Sequence, residues 1–338
     1  MMNFTQKVAA ASFGLDSNGW ILGFVPGSIK APASVPELDP DHVFDPIAFE
    51  SIRMWWEAAD TRQPLYISGP TGCGKTTTVM QLLARVNMPA VAITCRRRMD
   101  KQDLIGHFGA TEKGLSWIDG PATIAWRYGL TLVINEFSTA PGETWVSCND
   151  ILEGADLRID ATGEVVPRHP NTRVIITDNC ACADAGDSDV YVGRERQDAS
   201  VADRFWHLAM DYVPREIEGE ILWNKTRKSA QGLTDEEVES VIAQALDFVA
   251  LTRSLANKSD AASFEATPLP AVSSRVVVRF LSILFGLIKS RKTMGKEAAR
   301  LVLGNIVEKA LDLAFTKALP EGHRGTLQQS AAYTMTQI

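Results

Sequence analysis

The sequence predicts an α/β core built on a parallel sheet and followed by an α-helical domain. Three observations carry that prediction. Short β-branched runs alternate with helical patterns through the middle of the chain, as strands of a sheet covered by helices do. A glycine-rich turn, Gly69-Pro70-Thr71-Gly72-Cys73-Gly74-Lys75-Thr76, stands between the first of those runs and a helical pattern. From about Tyr212 onward the apolar spacing is helical.

Taken in order, the chain opens with an arm, Met1 to about Arg62, in which Pro26, Pro32, Pro36, Pro40 and Pro46 exclude long helices until Pro46 opens one, with Asp45 as its N-cap. The rest of the arm is expected to be irregular. Leu65–Ser68, Ala90–Thr94, Leu130–Ile134 and Arg173–Thr177 are the strand candidates, with helices at about 75–86, 101–106, 121–128 and 142–153. Further helices are expected at roughly 214–224, 234–256, 272–291 and 295–317, with a loop from Ser259 to Pro270 and a loose tail after Pro320. The expected domains are an acidic arm with its helix (1–62), a nucleotide-binding core (63–210) and a helical lid (211–338).

Composition narrows the functional classes. The 338 residues are 45% hydrophobic and 22% charged, which excludes disordered and fibrous proteins. The longest apolar run, Val276 to Ile288, is interrupted by Arg279 and is shorter than the ~20 residues of a bilayer-spanning helix. Met1–Ala10 has no signal-peptide core, so a cytoplasmic location without membrane attachment is expected. Net charge is −7, and residues 1–60 hold 3 Lys/Arg against 8 Asp/Glu. An acidic chain without a basic domain argues against nucleic acid as the main partner, and the arm is a candidate docking surface. Of the five cysteines only Cys180 and Cys182 are close, too few ligands for a zinc site. The five histidines form no motif.

Gly69 to Thr76 matches G-x-x-x-x-G-K-[ST] in full. In such a loop, backbone N–H groups and the following helix N-terminus surround phosphates, Lys75 reaches the β/γ oxygens, and the Thr76 hydroxyl binds Mg²⁺. Thr77, next in the helix, is counted with the binding loop. The third strand candidate ends in Asn135-Glu136, where folds with this loop carry Asp-Glu. Glu136 is accordingly the expected general base, and Asn135 the expected partner of a magnesium-bound water, though without a negative charge. Weaker Mg²⁺ affinity is expected from that substitution.

These residues resemble the AAA+ ATPases of the MoxR type (dynein-related AAA subfamily), and in particular the ATPase subunits of aerobic cobaltochelatases. The resemblance runs from Phe13-Gly14-Leu15-Asp16-Ser17 and Val35 to Phe44 through Asp103-Leu104-Ile105-Gly106, Leu152-Glu153-Gly154 and Asp203-Arg204-Phe205, covering about residues 13–210. It implies ATP and Mg²⁺ as cofactors and further site roles. Asn179, in Thr177-Asp178-Asn179 where the family has Thr-Ala-Asn, would be the sensor for the γ-phosphate. Arg204 would be the arginine finger entering a neighbouring subunit, with Arg194 and Arg196 as weaker alternatives. Arg275, in Val272-Ser273-Ser274-Arg275, would be the lid's nucleotide sensor. The segments 109–118 and 157–167 resemble family hairpins that face a ring pore or a client.

A finger acting in trans implies a head-to-tail homo-oligomer, expected as a hexameric ring. The resemblance further suggests a client protein with a von Willebrand A domain, or a metal chelatase, remodelled at the cost of ATP. Two rival readings are an ATP-gated assembly scaffold with negligible turnover and a motor subunit of a DNA-restriction or mobile-element system.

Overall fold

The computed structural model describes residues 3–15, 19–58, 62–112, 114–182, 193–259, 269–294 and 305–336. It divides into two compact units. One holds residues 1–40 and 44–211, the other residues 41–43 and 212–338.

In the first unit the chain makes a hairpin of β1 (Gln6–Ala9) and β2 (Trp20–Gly23), then α1 (Pro46–Glu57). Asp45 caps α1 as expected, its carboxylate accepting from Ile47 N at 3.0 Å. The hairpin corrects the expectation of an irregular arm. Strands of only four residues, the first of them mostly exposed, carry little periodic signal. Long-range bonds hold the arm instead: Phe24 N donates to Val86 O at 2.9 Å, Trp56 Nε1 to Leu22 O at 2.8 Å, and Arg85 Nε to Ser12 O at 2.7 Å. Asp16 and Ser17 of the arm motif lie outside the described residues.

The core follows as β3 (Leu65–Ser68), α2 (Lys75–Arg85), β4 (Ala90–Thr94), α3 (Lys101–Ile105), the hairpin β5 (Gly106–Thr111) and β6 (Gly114–Asp119), α4 (Pro121–Tyr128) and β7 (Thr131–Asn135). After it come α5 (Gly142–Ser147), α6 (Asn149–Leu152), the hairpin β8 (Leu157–Ile159) and β9 (Glu164–Val166), β10 (Arg173–Thr177), α7 (Ala199–Ala202) and β11 (Trp206–Ala209). The single helix expected over 142–153 breaks at Cys148. The sheet has the order β11-β3-β10-β7-β4 and is parallel throughout. Its fifth strand, β11, was not among the strand candidates.

Leu132, Val133, Ile134, Val174, Ile175 and Ile176 are buried, the continuous apolar runs of strands covered on both faces. Phe137, just beyond β7, stacks on Trp145 with ring centroids 4.0 Å apart. Trp117 makes an edge contact with Phe108 across β5 and β6, centroids 5.4 Å apart.

The second unit is helical: α8 (Arg215–Thr226), α9 (Asp235–Ser259), α10 (Ser274–Thr293), α11 (Ile306–Ala314) and α12 (Glu321–Thr334). Its core includes Leu222, Phe248, Leu281, Phe285 and Leu311. A buried Arg253–Glu218 pair, bidentate at 2.8 Å, joins α9 to α8. The tail expected to be loose is instead α12, which buries Leu327 and Ala331 one turn apart. Of the helix expected over 295–317, residues 295–304 lie outside the described residues, as does most of the 259–270 loop. Among the described residues no helix is long and apolar enough to cross a membrane.

Candidate functional site

The site forms where β3, β7 and β10 end, because ligands of open α/β sheets collect at the carboxyl edge. Beyond Ser68 the chain turns at Gly69, with φ +151°, and a Cβ there would stand 2.1 Å from the Met210 carbonyl oxygen, so only glycine fits. Gly74 holds φ +101° and leads directly into α2. The loop therefore presents its backbone at a helix N-terminus, the arrangement that attracts phosphate. Cys73 is buried, while Thr71 and Thr77 are exposed.

Lys75 is only 7% exposed. Its ammonium donates to Gly69 O at 2.7 Å, Pro70 O at 2.9 Å and Asn179 Oδ1 at 3.1 Å. Burial lowers its pKa, and the neighbouring Cys73, Glu136 and Asp178 oppose that effect. The next residue, Thr76, donates through Oγ1 to Asn135 Oδ1 at 3.1 Å. Asn135 Oδ1 also accepts from Thr177 Oγ1 at 2.8 Å, a contact set by the β7–β10 register that pairs Asn135 with Thr177.

Glu136 has φ +59°, one of two non-glycine residues with positive φ among the described residues. That conformation costs about 1–2 kcal/mol for a residue with a Cβ. It is held by Glu136 N donating to Thr177 O at 2.8 Å. Asn179 Nδ2 donates to Glu136 Oε2 at 3.0 Å. The Asn179 amide thus accepts from Lys75 on one side and donates to Glu136 on the other.

Arg194 completes the cluster. Its guanidinium pairs with Glu136 Oε2, donates to Thr139 Oγ1 at 2.6 Å and lies 3.3 Å from Asp178 Oδ1. Asp178 is fully buried, accepting from Ser138 N at 2.7 Å and from the Tyr66 hydroxyl at 3.0 Å. Burial and Asp178 together push the Tyr66 hydroxyl far up, so it stays a donor. For Arg194, burial acts to lower the pKa, but the bond to Glu136 and the charge of Asp178 outweigh it and raise the net value.

The structure therefore brings Lys75, Thr76, Asn135, Glu136 and Asn179 together. Arg204 is held elsewhere in the unit, donating to Glu153 Oε1 at 3.0 Å and to Ser200 O. Arg275 belongs to the second unit, exposed in the first turn of α10. Sequence reasoning gave Asp178 no role and ranked Arg194 below Arg204. The available signal was the acid in Thr177-Asp178-Asn179, since a carboxylate beside a buried strand end requires a cation or strong donors. Among the described residues no group of three or more His, Cys, Asp or Glu is arranged to hold a metal. The neutral oxygens of Thr76, Asn135 and Thr177 suit a hard cation that keeps water and phosphate ligands.

A glycine-rich loop opening a helix beside a central parallel strand, with polar residues from two neighbouring strand ends turned toward its lysine, defines a P-loop nucleotide-binding domain of the AAA type. Residues 64–205 match the AAA domain of the dynein-related subfamily, and the chain belongs to that family. It is 30% identical over 174 residues to protein CbbQ of Hydrogenophilus thermoluteolus, covering 51% of this chain and 62% of that one. An uncharacterized protein of Staphylococcus haemolyticus is 30% identical, covering 60% of this chain and 74% of that one. The aerobic cobaltochelatase subunit CobS of Sinorhizobium sp is 27% identical, covering 68% of each chain. The chain thus spans less than two thirds of CbbQ.

Proposed function

We propose that the protein binds ATP with Mg²⁺, hydrolyses it, and uses the resulting change to remodel or activate a partner protein. The observation that carries this reading is the Asn179 amide joining Lys75 to Glu136, which links the phosphate-binding end of the site to its base. Lys75 would exchange the Gly69 and Pro70 carbonyls for phosphate oxygens. Glu136 would take the proton from a water attacking the γ-phosphorus, as the bond to the bridging oxygen breaks and ADP leaves with that electron pair. Asn179 would orient that water or donate to the γ-phosphate. Thr76 would hold Mg²⁺ directly and Asn135 through water, where the ion neutralises phosphate charge.

Arg204 would act in a neighbouring subunit's site, leaving Glu153 to do so, and Arg275 would sense nucleotide from the lid. Head-to-tail contact of this kind favours a ring, which we take to be a hexamer. The relatives named above support a partner-activating role, because one is a subunit of a cobaltochelatase. A client with a von Willebrand A domain fits the same reading, as do a cytoplasmic location and the division into arm, core and lid at 1–62, 63–210 and 211–338.

One observation favours a second reading, a nucleotide-gated scaffold: the cation side of the site carries Asn135 rather than a carboxylate. Phosphate release by the wild-type protein, followed across Mg²⁺ concentrations, separates the two. Mg²⁺-dependent turnover supports the ATPase. Nucleotide binding without turnover at any Mg²⁺ concentration supports the scaffold.

A further inference from the structure

We infer that Asp178 is a positioning residue: its buried carboxylate fixes the main chain on both sides of the site, so that Glu136 and Asn179 stand at the spacing the reaction needs. The inference rests on the reading of Glu136 as the base.

Asp178 reaches three adjacent strands. Its main chain continues β10 and donates from N to Ile67 O of β3 at 2.9 Å. Its side chain has no exposed surface, and Oδ2 accepts from the Tyr66 hydroxyl of β3 at 3.0 Å and from Ser138 N, just beyond β7, at 2.7 Å. Oδ1 accepts from Asn179 N at 2.8 Å, with the Arg194 guanidinium 3.3 Å away. A carboxylate can accept from all four donors at once, whereas an amide of the same shape would turn its NH₂ toward two of them. The Thr-Ala-Asn motif that this segment resembles has alanine here, so the motif itself does not call for an acid.

Those bonds fall beside the residues that carry the site. Ser138 lies two positions beyond Glu136, whose φ of +59° turns the chain out of β7. The turn is held at one end by Glu136 N on Thr177 O at 2.8 Å and at the other by Ser138 N on Asp178, so successive residues at the end of β10 grip it twice. On the opposite side, the bond from Asn179 N sets the main chain that carries the amide. Asn179 Nδ2 then stands 3.0 Å from Glu136 Oε2 and 3.5 Å from Oε1, while its Oδ1 holds Lys75 at 3.1 Å. Tyr66 is set in turn by its ring, stacked on Phe205 with centroids 5.5 Å apart and edge-on to Phe137 at 5.8 Å. Removing the Asp178 carboxylate would leave Ser138 N and the Tyr66 hydroxyl without their buried acceptor and let the Glu136 turn shift against Asn179. A misplacement of about 1 Å at reacting groups costs up to about 10²-fold in rate.

The test compares wild type, Asp178→Ala and Tyr66→Phe, the last of which removes one bond to Asp178 and keeps the ring packing. Each is made alone and with Glu136→Gln, and is measured for thermal unfolding, ATP binding, and kcat and KM of phosphate release well below its unfolding midpoint. Asp178→Ala should lower kcat about ten-fold with KM and ATP binding within about two-fold of wild type. Tyr66→Phe should lower kcat about three-fold in the same pattern, the scale of one lost hydrogen bond. In the Glu136→Gln background neither change should lower the residual rate further, because a residue that acts by placing Glu136 has nothing left to place. A folded Asp178→Ala with the wild-type kcat, or with its loss in KM alone, overturns the inference, and so does an equal fractional loss in the Glu136→Gln background. Where Asp178→Ala does not fold, Tyr66→Phe at the wild-type kcat overturns it. In each of these cases wild-type hydrolysis that depends on Glu136 remains. Absence of turnover in wild type, with ATP still bound, overturns the hydrolytic reading itself and the inference with it.

Discussion

Two clusters share the carboxyl edge of the sheet and differ in charge. On one side Thr76, Asn135 and Thr177 bring only neutral oxygens together. On the other, Lys75, Glu136, Asp178 and Arg194 place two cations and two anions around the Asn179 amide. The sequence neighbours Asn135 and Glu136 separate the two because Glu136 turns out of the strand at φ +59°. The contrast teaches that the site gathers its charged groups around Asn179 and leaves the Thr76–Asn135 side neutral, so on the proposed function a cation there would depend on the nucleotide's own phosphates.

The largest expected effect comes from a residue outside both clusters. Arg204→Ala should lower turnover by about 10³-fold or more, the scale of arginine-finger losses. Mixing it with a Lys75→Ala protein should restore part of the activity, since some interfaces would then pair an intact loop with an intact finger. No recovery in rings shown to be mixed would mean that Arg204 serves only its bonds to Glu153 and Ser200 within its own chain. On the charged side, Asn179→Ala should reduce kcat by about 10²-fold, in the range for losing one oriented donor, with a smaller change in KM. Loss of nucleotide affinity alone would confine Asn179 to the Lys75 contact.

The neutral side should respond in the opposite sense. Asn135→Asp is expected to lower the Mg²⁺ concentration for half-maximal turnover by about ten-fold, because it adds a full charge beside the cation position. An unchanged Mg²⁺ dependence would erase the distinction between the clusters.

The smallest effect tests the frame that carries both. His169 Nδ1 accepts from Asn171 N at 3.1 Å, and burial with Arg168 holds its pKa below the ordinary histidine value. As pH falls, the unfolded chain takes up this proton before the folded one. Stability should thus rise with pH through the window just below about pH 6.5, by a small amount because the imidazole is only partly buried. A His169→Gln protein whose unfolding midpoint keeps the wild-type pH slope there would remove the assignment.

What was legible in the sequence was local. The phosphate loop is a contiguous string whose glycines and lysine have few other reasons to stand at that spacing. Asn135-Glu136 and Asn179 could be placed because each ends an apolar strand, and the register that pairs Asn135 with Thr177 then follows from the sheet. The strand β11 was illegible because Trp206 and His207 are exposed and four residues at a sheet edge show no apolar run. The tail helix was missed for a related reason, since Leu327 and Ala331 are a thin apolar signal in an otherwise polar stretch. Arg194 was legible only as a weaker alternative for the finger, because its contacts with Glu136, Thr139 and Asp178 lie up to 58 positions away in the chain. Asp178 was the clue, a buried acid that makes sense only once its partners are known.

The central claim is that Glu136 performs the chemistry at a site the phosphate loop fills. It is tested most directly by single-turnover hydrolysis and ATP binding measured on the same preparation of Glu136→Gln and wild type. The account predicts binding within about three-fold of wild type and hydrolysis lower by about 10²-fold or more. Hydrolysis by Glu136→Gln at the wild-type rate, with binding intact, would contradict it.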